Sequence, residues 1–303
     1  MSIDDNGPAL AMRVPAIDVV DTNHDVLGES PVWNHKSGAL WWVDGIGQKI
    51  HCLHPADGRK RSWSMNEEVG SIGLRAQGGL VVAMRSGFYF FDPGTGKLSE
   101  IAKPETDRPK NRFNDGKVDR AGRFWSGTVQ ADRYVPRGRL WRLDPDRKTS
   151  PHLDGITCIN GLSFSPDGQL MYLTDSFNLW IDVLNYDQDE GTIHGRRPFA
   201  EVPLGRGRCD GATVDADGCF WSANNDGWCV TRYDPRGRID RVINLPVRRP
   251  TSLTFGGPDL DVLYITTATR RLPEQELAQQ PLAGCLLAVR PGVTGLPEPE
   301  FAG

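Results

Sequence analysis

The chain has 303 residues, with 35 Lys+Arg against 39 Asp+Glu, a formal net charge of -4 and 38% hydrophobic residues. That composition supplies a packed core and reads as a soluble globular protein; with no basic excess and no Lys/Arg stripe, it carries no electrostatic footprint for nucleic acid. No window approaches the length of apolar run that a membrane span needs, while 34 Gly, 22 Pro and 9 Trp point to short strands and tight turns rather than long helices.

In chain order, residues 1–15 come first. Asp4, Asp5, Arg13 and Pro15 stand where a secretory signal needs an apolar run. The segment reads as a flexible lead into a single domain over 16–303, and the expected location is cytoplasmic. The six cysteines, Cys52, Cys158, Cys209, Cys219, Cys229 and Cys285, form no C-x-x-C pair and no zinc spacing, so they read as free thiols.

From residue 31 onward the same unit recurs six times: a short apolar run, a Gly or Asp-Gly turn, then an aromatic or β-branched run. The units cover 31–44, 70–85, 114–128, 160–175, 210–225 and 252–267. Their turns centre on Gly38, Gly78, Gly122, Gly168, Gly218 and Asp259, which are 40, 44, 46, 50 and 41 residues apart. That period suits four strands per unit. Outer hairpins are visible at 87–98, 138–146 and 230–239. Units that cannot bury their faces alone stack radially, which predicts an all-β, six-bladed β-propeller. The strand that closes the ring is expected from 16–26, pairing near 285–289. One short helix is expected at 273–280.

The turns also index the channel. Eight residues before Gly122, Gly168 and Gly218 stand Asn114, Asn160 and Asp210, and nine before Gly38 stands Glu29. Innermost strands line the channel of a propeller, so these four side chains are expected to converge on one rim. Asp175 and the group Asn224, Asn225 and Asp226 lie about seven residues after their turns and are expected as neighbours. Taken singly, Asn-Asp-Gly and Asn-Gly are turn residues. Four oxygen-bearing side chains at a common offset imply something positive between them. An all-oxygen set suits calcium, magnesium or manganese better than zinc or copper.

The ordered motifs Leu27-Gly28-Glu29-Ser30-Pro31-Val32-Trp33, Arg112-Phe113-Asn114-Asp115-Gly116-Lys117-Val118-Asp119, Asn160-Gly161-Leu162-Ser163-Phe164-Ser165 and Asp210-Gly211-Ala212-Thr213-Val214-Asp215-Ala216-Asp217-Gly218 resemble the regucalcin/gluconolactonase family, also called the senescence marker protein family. The resemblance spans about 26–288. It implies one catalytic divalent metal ion held by Glu29, Asn160 and Asp210, with Asn114 as a further ligand, directly or through water. Calcium is the first choice, with manganese, zinc, magnesium and ferrous iron as the others. It also implies substrate contacts from Arg112, Asn114 and Asp132; Asp175, by its offset from the turn, is expected behind them. Two residues depart from the family pattern: Ser30 stands where Gly is usual and Cys209 where Pro is common.

The activity implied is that of a metal-dependent lactonase in carbohydrate metabolism. The cation polarises the carbonyl of a sugar lactone, and Asp210 serves as catalytic base for water. No Gly-x-Ser-x-Gly elbow offers a rival nucleophile. The alternatives are a promiscuous esterase or organophosphate hydrolase on the same site, or a non-catalytic calcium-binding protein. No membrane and no nucleic-acid partner are expected, and a monomer is the default. The six tryptophans Trp33, Trp42, Trp125, Trp180, Trp221 and Trp228 are expected to pack between blades rather than to line a sugar site. The pairs Arg196-Arg197, Arg248-Arg249 and Arg270-Arg271 are read as solvated loop residues without a role.

Overall fold

The computed structural model describes residues 15–130, 132 and 134–303; the expected flexible segment falls outside these except for Pro15. Blade 1 is built from β2 (Gly28–Asn34), β3 (Ala39–Asp44), β4 (Lys49–His54) and β5 (Arg59–Ser64), after a first strand β1 (Ile17–Asp21). Blade 2 follows as β6 (Val69–Leu74), β7 (Leu80–Met84), β8 (Phe88–Asp92) and β9 (Lys97–Ala102). Blade 3 is β10 (Asn111–Val118), β11 (Phe124–Gln130), β12 (Gly138–Leu143) and β13 (Thr149–Ile156). Blade 4 is β14 (Ile159–Phe164), β15 (Leu170–Asp175), β16 (Trp180–Asp187) and β17 (Thr192–Glu201). Blade 5 is β18 (Arg208–Val214), β19 (Phe220–Asn225), β20 (Cys229–Tyr233) and β21 (Ile239–Asn244), and blade 6 holds β22 (Pro250–Gly256), β23 (Val262–Thr267) and β24 (Leu286–Val289).

Each sheet has four antiparallel strands, and all six turn centres read from the sequence fall between the first and second strands of a blade. The sixth sheet has the order β1-β24-β23-β22, with Ile17 opposite Val289, so the ring closes with the N-terminal strand as expected. The short helix α1 (Glu274–Gln279) lies between β23 and β24. Among the described residues no helix is long and apolar enough to cross a membrane.

The core is not one central mass. Six hydrophobic clusters each straddle two neighbouring blades: Val32, Val43, Ile72 and Val82 join blades 1 and 2, and Trp221, Val230, Leu253 and Leu263 join blades 5 and 6. The other four interfaces repeat the arrangement. A four-stranded blade exposes two apolar faces, and stacking on both neighbours is what removes them from water. Trp33, Trp42, Trp125 and Trp221 are buried in these seams, as the packing reading expects, and Trp180 and Trp228 lie at the surface. All six cysteines are buried and free.

A repeated latch ties the inner hairpins of blades 3 and 5. Asp215 Oδ1 accepts the backbone N–H of Asp217 and of Cys219, and its Oδ2 accepts Trp221 Nε1–H at 2.8 Å. Asp119 does the same for Ala121, Arg123 and Trp125. One carboxylate thus closes the turn and satisfies a buried indole that would otherwise lose its hydrogen bond.

The segment 294–302 lies across the turn side of the ring. Its backbone or side chains bond to Ala216 of blade 5, Thr254 of blade 6, Lys117 and Gly122 of blade 3, Lys36 before blade 1's second strand, and Leu74 and Ala76 of blade 2. Glu298 stands at its middle, 2.6 Å from Lys117 Nζ.

Candidate functional site

All six innermost strands carry one extra residue where they approach the opposite mouth. Register shifts fall between Glu29 and Val32, Val69 and Ser71, Phe113 and Gly116, Asn160 and Ser163, Cys209 and Ala212, and Pro250 and Ser252. A bulge bends its strand and re-aims the side chains around it. Glu29 and Asn160 are the last regular residues before their bulges, on blades 1 and 4, which face each other across the ring. Asn114 and Asp210 are the first residues inside theirs, on blades 3 and 5. Blade 2 contributes no side chain there, because a Cβ at Gly70 would stand 2.6 Å from the Phe113 carbonyl carbon.

The backbone just after each of the first pair is left-handed, φ +48° at Ser30 and +65° at Gly161. Glycine adopts that conformation freely and serine does not. Ser30 Oγ offsets the strain by accepting the N–H of Ile72 in blade 2 at 2.9 Å. Ser30→Ala is therefore expected to destabilise the protein by roughly 1–3 kcal/mol, since it keeps the strain and orphans a buried donor. Ser30→Gly is expected to cost about 1 kcal/mol less, because it relieves the backbone. Thermal unfolding of both variants checks the ranking, and a Ser30→Ala midpoint equal to that of the parent would refute it.

The four rim side chains meet in one cavity of about 170 Å³ that opens to solvent. Asn160 and Asp210 are buried at its floor, and Glu29 and Asn114 each keep one edge on it. A chain of hydrogen bonds fixes the carboxamides. Arg112 Nη1 donates to Asn114 Oδ1 at 2.9 Å, Asn114 Nδ2 to Asn160 Oδ1 at 2.7 Å, Asn160 Nδ2 to Ser176 Oγ at 2.6 Å, and Ser176 Oγ to the Cys209 carbonyl at 3.0 Å. Asn225 Nδ2 donates to Asp210 Oδ2 at 2.8 Å.

The floor is electrostatically unfinished. Burial, reinforced by Asp210 and Asp115, holds Glu29 well above the usual carboxylate range. Burial again, with Asp115 alongside and Asn225 opposing, pushes Asp210 up to about 7. Asp115, pushed up to about 6 by burial, is a third carboxylate in the same field, although it accepts the N–H groups of Gly116 and Leu162 at 2.9 Å. Among the described residues none of the three forms an ion pair. Like charges brought together in a low-dielectric floor call for a cation. No three His, Cys, Asp or Glu side chains are grouped as a metal site among the described residues. The floor instead combines two carboxylates with two carboxamides, a hard all-oxygen set.

The remaining expectations divide. Asp175 is buried outside the lining, where it accepts the N–H of Thr157, Cys158 and Phe177 and so holds the approach to β14. Asp132 does not line the cavity; Gln130 Nε2 donates to it at 2.8 Å and Lys110 Nζ lies 3.6 Å away. Asn225 reaches Asp210, while Asn224 turns to the Arg206 carbonyl and Asp226 to arginines. Cys209 lines the floor with its thiol pushed up to about 12 by burial, which suits a small filler rather than a reactive group.

The paired arginines correct the reading from sequence. Arg249, Arg270 and Arg271 line the mouth together with Arg112 and Arg208, and the aromatic residues there are Tyr134 and Phe177 rather than any tryptophan. None of these stands at the common offset from a turn, the signal that located the floor.

Comparison with known proteins is consistent along nearly the whole chain. The family model described as SMP-30/Gluconolactonase/LRE-like region matches residues 27–269. The chain is 43% identical over 281 residues to a 6-deoxy-6-sulfogluconolactonase from Pseudomonas putida, covering 92% of this chain and 96% of that protein. It is 37% identical to regucalcin from Xenopus laevis, over 91% of this chain and 95% of the relative. Among solved structures, the calcium-binding protein regucalcin from Agrobacterium tumefaciens superposes with a TM-score of 0.91 at 28% identity, over 95% of this chain and 98% of the other.

Proposed function

The chain belongs to the SMP-30/gluconolactonase/LRE-like family, and from that premise we propose that it is a metal-dependent hydrolase that opens a sugar lactone. The observation that carries the reading is the floor itself: Glu29 and Asp210, both raised by burial, face two hydrogen-bonded carboxamides, and among the described residues neither forms an ion pair. A relative that acts on a sulfogluconolactone supports the substrate class, and a structural neighbour described as calcium-binding supports the ion.

Glu29, Asn160 and Asp210 would hold the divalent cation, with Asn114 beside them. When bound, the cation supplies Lewis-acid polarisation of the ester carbonyl. Asp210 has Oδ2 fixed by Asn225, and its carboxylate takes a proton from the attacking water. The water oxygen bonds to the carbonyl carbon, the ring C–O bond breaks, and the proton passes to the departing ring oxygen. Arg112 and Asn114 hold sugar hydroxyls through their N–H groups. Asp132, which is not among the lining residues, is the third substrate contact that the resemblance implies.

The test is initial-rate proton release on neutral aldonolactones before and after chelation, with calcium, manganese, zinc, magnesium or ferrous iron added back. Turnover is expected to fall to background with chelator and to return with calcium. Turnover indifferent to chelation would sink the metal-dependent reading, and metal binding without turnover of any lactone would favour a calcium-binding protein.

A further inference from the structure

Among the described residues, five arginines line the cavity, Arg112, Arg208, Arg249, Arg270 and Arg271, against two carboxylates, Glu29 and Asp210. Of the outer four, Arg208 spends Nη2 on Asp226 and Arg249 spends Nε on Asp226 and Nη1 on the Arg270 carbonyl, while Arg270 and Arg271 spend none among the described residues. Asp226 alone serves Arg208 Nη2 at 2.9 Å, Arg249 Nε at 2.7 Å and the neighbouring Arg248 Nε at 3.1 Å. Tyr134 and Phe177 pack ring against ring at 4.8 Å, with Arg271 4.9 Å over the first and Arg208 5.4 Å over the second. A guanidinium resting over an aromatic ring keeps its planar fork of N–H donors for another partner. Among the described residues, the side chains of Arg270 and Arg271 form no ion pair and no hydrogen bond. Arg112, only 6% exposed, leaves Nε without a hydrogen-bond partner, 3.6 Å from Glu68.

Guanidinium groups gathered on one mouth repel one another, and a neutral polyol relieves none of that. A small oxyanion does, by accepting charge-assisted and bidentate hydrogen bonds from several of them. The carboxylates lie at the floor and Arg271 at the exposed rim, so a single ligand is asked to present an ester carbonyl at one end and negative charge at the other. We propose that the substrate is an aldonolactone whose terminal carbon carries an oxyanion, with Arg270 and Arg271 as its clamp and Arg208 and Arg249 at its sides. This rests on the lactonase reading and deepens it. Sulfonate, phosphate and carboxylate share the chemistry.

The metal-loaded protein should be assayed on gluconolactone and on its analogues bearing 6-sulfonate, 6-phosphate or a C6 carboxylate. The best anionic lactone is expected to exceed the neutral one in kcat/KM by ~30-fold or more, largely through KM, and the preference should shrink as salt is raised. The largest ratio names the oxyanion. Arg270→Gln/Arg271→Gln, or Arg271→Gln alone with a smaller effect, should lower that ratio by about tenfold. Ratios within about threefold for all three analogues, with gluconolactone still hydrolysed, would overturn the inference and leave the lactonase reading intact. If no lactone is opened, calorimetry decides: 6-phosphogluconate binding at least ~10-fold tighter than gluconate, and losing that advantage in the double variant, upholds the oxyanion site while the hydrolase reading fails. Equal affinities sink the inference.

Discussion

Asp210→Ala is expected to lower kcat/KM for lactone hydrolysis by at least ~10³-fold while leaving the propeller folded. Asp210 stands in the bulge of β18, buried at the floor, with one oxygen held by Asn225. On the proposed reading it both holds a cation and accepts the proton of water, and no other carboxylate in the lining except Glu29 could replace it. Its effect on stability should run the opposite way. Burial and Asp115 hold Asp210 up to about 7, so its ionised form near neutral pH is a cost to the metal-free fold. Asp210→Asn keeps the shape and removes the charge, and in chelated protein its thermal midpoint is expected to rise by about 2–4 °C. Loss of activity with a gain in stability separates a functional carboxylate from a structural one. A lower midpoint in chelator, or more than a tenth of the activity retained by Asp210→Ala, would refute this account.

Asp215→Ala carries the largest expected loss of stability, about 3–5 kcal/mol. Asp215 is fully buried and receives Trp221 Nε1, Arg232 Nε at 2.8 Å and two turn N–H groups. Removing it orphans the indole donor and Arg232 Nε at once, although the guanidinium keeps Asp217 and Asp240, and opens the inner turn of blade 5. For a chain of this size the midpoint should fall by roughly 5–8 °C. Asp217 also pairs with Arg232, yet its side chain is 65% exposed, so Asp217→Ala should lie within about 1 kcal/mol of the parent. Denaturant titration of the two variants side by side tests the claim, and equal effects would show that Arg232, not the latch, sets the cost.

The blade count, the closing strand and the short helix were legible because each depends on period and turn chemistry, which a sequence states directly. The convergence of Glu29, Asn114, Asn160 and Asp210 was legible as an offset from the turns. The bulges were not, since one extra residue changes register without disturbing the apolar pattern. As a result the common offset merged two positions: Asn160 stands before its bulge and Asp210 within its own. Asp115 was passed over beside Asn114, although its bond to the Leu162 N–H links blades 3 and 4. Arg249, Arg270 and Arg271 were passed over for another reason. They follow strands of the last two blades, and a formal charge of -4 over the chain conceals a mouth of the opposite sign.

The strip 294–302 is anchored to five blades on the turn side, across the ring from the arginine-lined mouth. On the proposed reading, opening a lactone creates a new carboxylate at the floor, and an acid that leaves by that mouth passes Arg112 and the arginines of the rim. The features that draw an anion in will also slow its departure, so product release is expected to weigh on the pace of a full cycle.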